Sequence, residues 1–261
     1  MNHTFAICAY KESKYLEECI KSLLAQTIKS EIIVATSTPN DYIKNLADKY
    51  QIRLFINLGE SGITQDWNFA MSNVNTKYAT LAHQDDVYEP TYTEKVVDMM
   101  ESARKPIIGF TDYMEIRNGV KCQDIQMLKI KRLMLAPLKP RLAWASKFIR
   151  RRSLSLGDAI CCPSVCFCLD NVTRPIFHNK YRSAEDWEAW EKLSKLKGSF
   201  VYISEPLVCH RIHEESATTA ILADNARVRE NYEMFCKFWP KWFAGFINHF
   251  YTRSEKSNEL K

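Results

Sequence analysis

Tyr78-Ala79-Thr80-Leu81-Ala82-His83-Gln84-Asp85-Asp86 is the stretch from which the rest of the chain is read. Its first five residues are small and apolar, the composition of a buried strand, and they run straight into two adjacent carboxylates. Two carboxylates at the carboxyl edge of a strand repel each other and lose hydration unless a positive group sits beside them. A magnesium or manganese ion carrying a diphosphate is such a group, and in open α/β sheets that edge is where ligands bind. An acidic turn, with Glu89-Pro90 opening the next helix and Asp86 merely hydrated, accounts for the same residues. The flanking sequence bears on the choice.

Upstream, strands and helices alternate. Phe5-Ala6-Ile7-Cys8-Ala9-Tyr10 predicts a buried strand; Ser13 follows at an N-cap position, and Leu16, Ile20, Leu23 and Leu24 fall on one helical face. Residues 31–35 predict a second strand, closed by Thr36-Ser37-Thr38-Pro39, and residues 41–50 a helix with Ile43, Leu46, Ala47 and Tyr50 spaced for burial. Residues 52–56 predict a third strand, and residues 63–74 a helix after the Gly59-Glu60-Ser61-Gly62 turn. Asp85 and Asp86 thus end the fourth strand. Alternation at this spacing predicts an α/β fold, a mostly parallel sheet with helices on both faces.

Beyond Pro106 the rhythm changes. Strands are expected at residues 107–111, 159–169 and 200–203, and a helix at residues 185–196. The last forty residues predict aromatic helices with a polar, disordered end. No stretch rich in Gly, Pro or Ser cuts the chain. The expected layout is a nucleotide-binding half over residues 1–115, a half for acceptor and base over 116–222, and a helical extension over 223–261.

The 261 residues, 46% hydrophobic, suffice for one large domain, and the net charge of +5 is unevenly spread. Between Lys129 and Arg152 nine basic residues stand with no acidic one, a local excess suited to phosphate, lipid headgroups or an anionic glycan. Nine cysteines, an N-terminal apolar run too short for a signal peptide and no apolar run of about 18 residues predict a reducing, cytoplasmic setting. In Cys161-Cys162-Pro163-Ser164-Val165-Cys166-Phe167-Cys168, a strand would put Cys162, Cys166 and Cys168 on one face and Cys161 on the other; without a C-x-x-C knuckle these are core thiols rather than a zinc cluster. No recognised module accompanies the basic charge, which argues against nucleic acid as partner.

The order of the pieces resembles the inverting nucleotide-sugar glycosyltransferases of family 2, with the GT-A fold, over residues 4–220. Four islands carry the resemblance. Cys8-Ala9-Tyr10-Lys11-Glu12 is similar to the first-strand motif that lines the nucleotide pocket. Asn57-Leu58-Gly59-Glu60-Ser61-Gly62, with Asp66-Trp67-Asn68, resembles the glycine turn and following helix. His83-Gln84-Asp85-Asp86 takes the place of the Asp-x-Asp metal motif, and Ser183-Ala184-Glu185-Asp186-Trp187 that of the Glu-Asp motif supplying the base. The resemblance implies donor-nucleotide contacts at Tyr10, Glu12, Thr36, Asn57, Gly62, Asn68, His83, Asp86 and Arg211. It implies Mg²⁺ or Mn²⁺ on Asp85 with His213, and Asp186 as base with Glu185 beside it. The donor is then a UDP- or dTDP-linked sugar and the acceptor a glycan or lipid-linked glycan, as in surface polysaccharide synthesis.

Two departures stand out. His83 replaces the first aspartate of Asp-x-Asp, and the second strand ends in Ala35-Thr36-Ser37-Thr38 where acidic residues usually meet the nucleobase. The alternatives are an inactive nucleotide-binding partner subunit of the same fold, which His83 keeps open, and a membrane-surface binding protein resting on the basic and aromatic segments.

Several residues have a structural reading too. Tyr10 and Glu12 suit a strand end and a helix start. Ser183 and Asp186 form a capping-box pattern, while Trp187, Trp190 and Leu193 recur at core spacing; a capped helix start is also a rigid mount for a catalytic carboxylate. His210-Arg211-Ile212-His213, with Ser216 and Thr218, suits either a diphosphate loop or a hydrated turn. Asp66 and Asn68 are expected to hold the glycine turn. The basic segment and Trp239-Pro240-Lys241-Trp242-Phe243, with Phe246, Phe250 and Tyr251, suit peripheral membrane contact or helix packing.

Overall fold

The computed structural model describes residues 1–213 and 226–256; Ser216 and Thr218 lie outside the described residues. β1 (His3–Ala9), β2 (Glu31–Thr36), β3 (Arg53–Ile56) and β4 (Tyr78–His83) pair in parallel in the order β3-β2-β1-β4. They are joined by α1 (Leu16–Leu24), α2 (Asp41–Lys49) and α3 (Ile63–Ser72). Helices cover both faces. Phe5, Ile7 and Ala9 pack with the buried residues of α1 and α2, while Ala6 faces α3 through Ala70 and Met71. Burial on both sides explains why the inner strands β1 and β4 read as unbroken apolar runs.

Ser13 is not the cap of α1. The helix starts at Leu16 behind Tyr15, and the Ser13 carbonyl instead accepts from the Leu16 amide at 3.1 Å and the Tyr42 hydroxyl at 3.0 Å. α2 is capped by Asn40, whose Oδ1 accepts from the Ile43 amide at 2.9 Å.

The second half departs further from expectation. It comprises β5 (Val87–Tyr88), α4 (Tyr92–Glu101), β6 (Pro106–Arg117), β7 (Val120–Cys122), α5 (Gln126–Leu135), α6 (Lys147–Ser153), β8 (Val165–Cys168), α7 (Glu185–Leu193), β9 (Ser199–Ile212), α8 (Ala226–Phe235) and α9 (Lys241–Lys256). Among the described residues nine strands form one sheet, ordered β3-β2-β1-β4-β8-β6-β9-β5 with β7 beside β6. β8 runs antiparallel between β4 and β6, and β5 and β7 are antiparallel too, but β1 to β4 and the long β6–β9 pair are parallel, so the sheet is mostly parallel, as expected. β6 and β9 are far longer than their apolar runs because they pair with each other in parallel, through register shifts around Asp112. β6 also runs through residue 115, so a single sheet carries both halves.

The cysteine run is a strand only from Val165. A 3-10 turn over Cys162–Ser164 precedes it and rotates Cys162 onto the face of Val165 and Phe167, while Cys161 joins Cys166 and Cys168. All four thiols are buried, and burial pushes each above its ordinary pKa.

Candidate active site

The carboxyl ends of β1 and β4 lie side by side where the chain's path diverges, β1 leading through α1 to β2 and β4 bordering β8 on its other side. The Gln84 side chain ties the two ends together: its Oε1 accepts from the Tyr10 amide at 2.9 Å and its Nε2 donates to the Tyr10 carbonyl at 3.0 Å. The Tyr10 ring is left about half exposed at this edge, and Glu12 stands exposed beyond it.

Asp85 and Asp86 sit in a nest of imidazoles. Asp86 is fully buried; its Oδ1 accepts from the Arg211 amide at 2.9 Å and bonds His210 Nδ1 at 3.0 Å. Burial works against a charged His210, but the charge and hydrogen bond of Asp86, with Asp85 and Glu115 behind it, lift its pKa to about 9. Asp85 bonds His213 Nε2 at 2.8 Å. Burial raises the Asp85 pKa, yet the His213 bond and the charges of His83, His210 and His213 outweigh it and hold this carboxyl below its usual range. β9 delivers these partners. Only its long excursion beside β6 brings His210 and Arg211 to the end of β4.

His83, Asp85 and Asp86 each offer a ligand atom within 4.8 Å of the others. His83 Nδ1 lies 3.8 Å from Asp86 Oδ2, too far for a hydrogen bond but near enough for both to reach one ion. Asp86 Oδ2 is buried with no hydrogen-bond partner, and the His83 ring, whose Nδ1 faces it, is fixed by stacking on Trp67 at 5.2 Å. A partnerless buried carboxylate oxygen is costly, and a divalent cation would satisfy it. The residues fit such an ion. His83, expected at the nucleotide, stands in this group, and His213, expected at the metal, bonds Asp85 beside it.

Arg211 is built into the scaffold rather than turned outward to phosphate. Its Nε donates to the Asp85 carbonyl at 2.9 Å, one terminal nitrogen donates to Glu18 at 2.6 Å, and the Tyr15 ring lies 4.3 Å below. Asn68 is likewise committed elsewhere. Its carboxamide bonds the Ile176 and Phe177 backbone at 2.9–3.1 Å, not the glycine turn. Asp66 does hold that turn, accepting from Asn57 Nδ2 at 2.9 Å and from the Ser37 hydroxyl at 2.7 Å. Gly62 caps α3 at φ +150°, where a side chain would be strained and its Cβ would stand 2.5 Å from Gln65. Thr36 is buried at the end of β2, with its hydroxyl accepting from the Thr38 amide at 3.0 Å.

Across the site stands a second carboxylate group. α7 starts at Glu185 behind Ala184 without a side-chain cap, so the expected capping box is absent: Ser183 donates its hydroxyl to Glu230 of α8 at 2.6 Å. Asp186 Oδ1 accepts from the neighbouring Trp187 amide at 2.8 Å. Glu185 is buried, and burial, followed by the charges of Asp186 and Glu230, raises its pKa to about 7. Asp158, which no sequence motif marks, meets Asp186 side chain to side chain. Burial and then the Asp186 charge push the Asp158 pKa far up, with Lys131 the opposing positive charge. The Cys161 thiol feels the charges of Asp86, Asp158 and Asp186 together, which puts the two groups in one neighbourhood.

Fold and edge together define an α/β protein with a His-Asp-Asp group that could hold a cation at the carboxyl edge of its sheet. Residues 4–174 match the family model described as glycosyl transferase family 2, and the chain belongs to that family. An uncharacterized glycosyltransferase of Haemophilus influenzae is 27% identical over 222 residues, 79% of this chain and 64% of the relative. One of Rickettsia prowazekii is 25% identical over 225 residues, 83% of this chain and 65% of the relative. The chain thus spans just under two thirds of either relative's length. Among solved structures, S. aureus TarS 1-349 in complex with UDP-GlcNAc superposes with TM-score 0.64 at 16% identity, over 90% of this chain and 64% of that one. The mannosyltransferase PcManGT of Pyrobaculum calidifontis, in complex with GDP-Man and Mn²⁺, gives TM-score 0.68 at 13% identity, over 96% and 69%. The fold is GT-A.

Proposed function

We propose that this chain transfers a sugar, with inversion, from a nucleoside diphosphate sugar to a hydroxyl of a glycan or lipid-linked glycan, in cytoplasmic steps of surface polysaccharide synthesis. The observation that carries the reading is the buried, partnerless Asp86 Oδ2, facing His83 Nδ1 at the same β4 edge as Asp85. Nucleotide sugars bound to TarS and PcManGT, the latter with Mn²⁺, support a donor of this class.

In this reading His83, Asp85 and Asp86 hold Mg²⁺ or Mn²⁺. When bound, the ion supplies Lewis-acid stabilisation of the diphosphate leaving group. The half-exposed Tyr10 ring offers a stacking surface to the nucleobase, near the hydroxyl-rich end of β2 at Thr36. Glu12, Asn57 and Gly62 shape the rest of the donor edge, with His210, Arg211 and His213 holding the carboxylates from behind. Asp186 takes the proton from the acceptor hydroxyl as its oxygen attacks the anomeric carbon and the bond to the diphosphate breaks. Removal and attack coincide, because a free alkoxide is too basic to form beforehand.

The test is calorimetric titration of UDP, dTDP and GDP, with Mn²⁺ and with chelator, into the wild type and Asp85→Ala. Metal-dependent binding of one nucleotide, weakened at least tenfold in the variant, is expected. Failure of all three nucleotides to bind under either condition would overturn the reading.

A further inference from the structure

α9 has two different faces. Its inner face, with Ala244, Ile247 and Tyr251, packs into the core. The Tyr251 ring lies 5.4 Å from Phe235 and 6.2 Å from Trp187, and it closes on Gly157, where φ is +149° and a Cβ would stand 2.5 Å from the ring. The outer face carries Trp242, Phe246, His249, Phe250 and Arg253, all exposed, with Trp242 77% accessible. Spacing of four residues keeps the three large rings on one stripe.

The stripe extends beyond the helix. Phe243 contacts Trp239 at 5.0 Å, and the Arg152 guanidinium bridges Trp239, at 4.4 Å, to Phe148 of α6, at 5.9 Å. Phe148 is 73% exposed. Residues 129–157 and 236–254 contain no Asp or Glu, and Lys147, next to Phe148 in the chain with its ammonium on the Lys195 carbonyl, is exposed, as are Lys241 and Arg253 of α9.

Large rings at the surface, carried on two segments that hold cations and no Asp or Glu, suit the headgroup layer of an anionic bilayer. They suit a second copy of the chain poorly, since two such faces would meet like charge with like. No helix of the described residues is long and apolar enough to cross a membrane. We propose that the outer face of α9, with Phe148, docks the protein on an anionic membrane surface. Tyr251 on the inner face touches Trp187, next to Asp186, so docking would set the acceptor carboxylates about one helix diameter, ~10 Å, behind the headgroups. That consequence rests on the sugar-transfer reading; the docking itself does not.

The experiment is sedimentation of the full chain with vesicles of phosphatidylglycerol and phosphatidylcholine, and with phosphatidylcholine alone, in the absence of any donor. The wild type is expected to sediment with the anionic vesicles, and less so at high salt. Trp242→Ser, Phe246→Ser and Phe250→Ser together should lower the bound fraction about tenfold or more. A circular dichroism melt checks that this variant folds. Lys147→Glu with Lys241→Glu, which leaves the rings in place, should abolish the preference for anionic lipid. Wild-type protein that stays in the supernatant would overturn the proposal, as would variants that bind like wild type. A wild-type dimer lost in the triple variant, without vesicle binding, would assign the face to a second copy instead. Because no donor is present, failure here leaves the transfer reading intact.

Discussion

The two carboxylate groups of the site keep opposite company. Asp85 and Asp86 are met by His210, His213 and the Arg211 amide, and Asp85 is held below its usual range. Asp158, Asp186 and Glu185 are crowded with one another; burial and mutual charge raise Asp158 and Glu185, with Lys131 opposing at Asp158 and Arg182 at Glu185. Asp85 is thus kept negative, while Asp158 and Glu185 retain their protons to higher pH. These opposite behaviours come from different neighbours rather than different residue types.

The sharpest way to break this contrast is at Asp186. Asp186→Asn should keep donor binding and lower transfer by about 10²- to 10⁴-fold in a radiolabelled-sugar assay. Transfer at the wild-type rate would remove Asp186 as the base.

At the other group, His210→Ala strips buried Asp86 of its imidazole and should cost about 3 kcal/mol in metal-free urea unfolding. The sign follows from a raised histidine pKa. The stabilisation is complete below about 6.5, the unfolded value, and fades as pH rises through about 9. An unfolding midpoint indifferent to the mutation at pH 6 would mean the imidazole does not neutralise Asp86.

Glu185 gives the converse dependence on the acceptor side. A carboxyl raised from about 4.5 to about 7 favours the folded state fully at low pH and loses that contribution as pH climbs through 7. Glu185→Gln should therefore match the wild type near pH 4 and exceed it by about 2–3 kcal/mol above pH 7, read from paired thermal melts. Parallel curves at every pH would show that its neighbours do not raise Glu185.

The smallest effect concerns His83. Imidazole suits later transition metals, and carboxylate suits Mg²⁺. His83→Asp should shift the ratio of Mg²⁺- to Mn²⁺-supported nucleotide binding about fivefold toward Mg²⁺, on the order of 1 kcal/mol. An unchanged ratio would place His83 outside the ligand group.

The chain's two halves were unequally legible. In residues 1–86 local periodicity and buried parallel pairing demand the same residues, so β1 to β4 and α2 lie close to where apolar spacing puts them. β6 and β9 extend far past residues 107–111 and 200–203 because their polar ends are held by each other, which no local pattern encodes. Ser183 looked like a cap because of its distance from Asp186 in sequence, but Glu230, forty-seven residues away, claims it. Asp158 carries no motif at all. Its chemistry arises from Lys131, Asp186 and the nearby core, which meet only when α5, α7 and the Gly157 loop are packed together.

By itself, the sequence determined the alternating α/β frame, the β4 edge with Asp85 and Asp86, and the place of Asp186 at a helix start, since each depends on residues within one or two turns or strands. Only the tertiary structure decided which charges surround those carboxylates. A carboxyl's proton affinity is set by burial and by charges within a few ångströms, and here those charges come from β9, α5 and α8, whose approach is a property of the packed sheet and helices rather than of any local run.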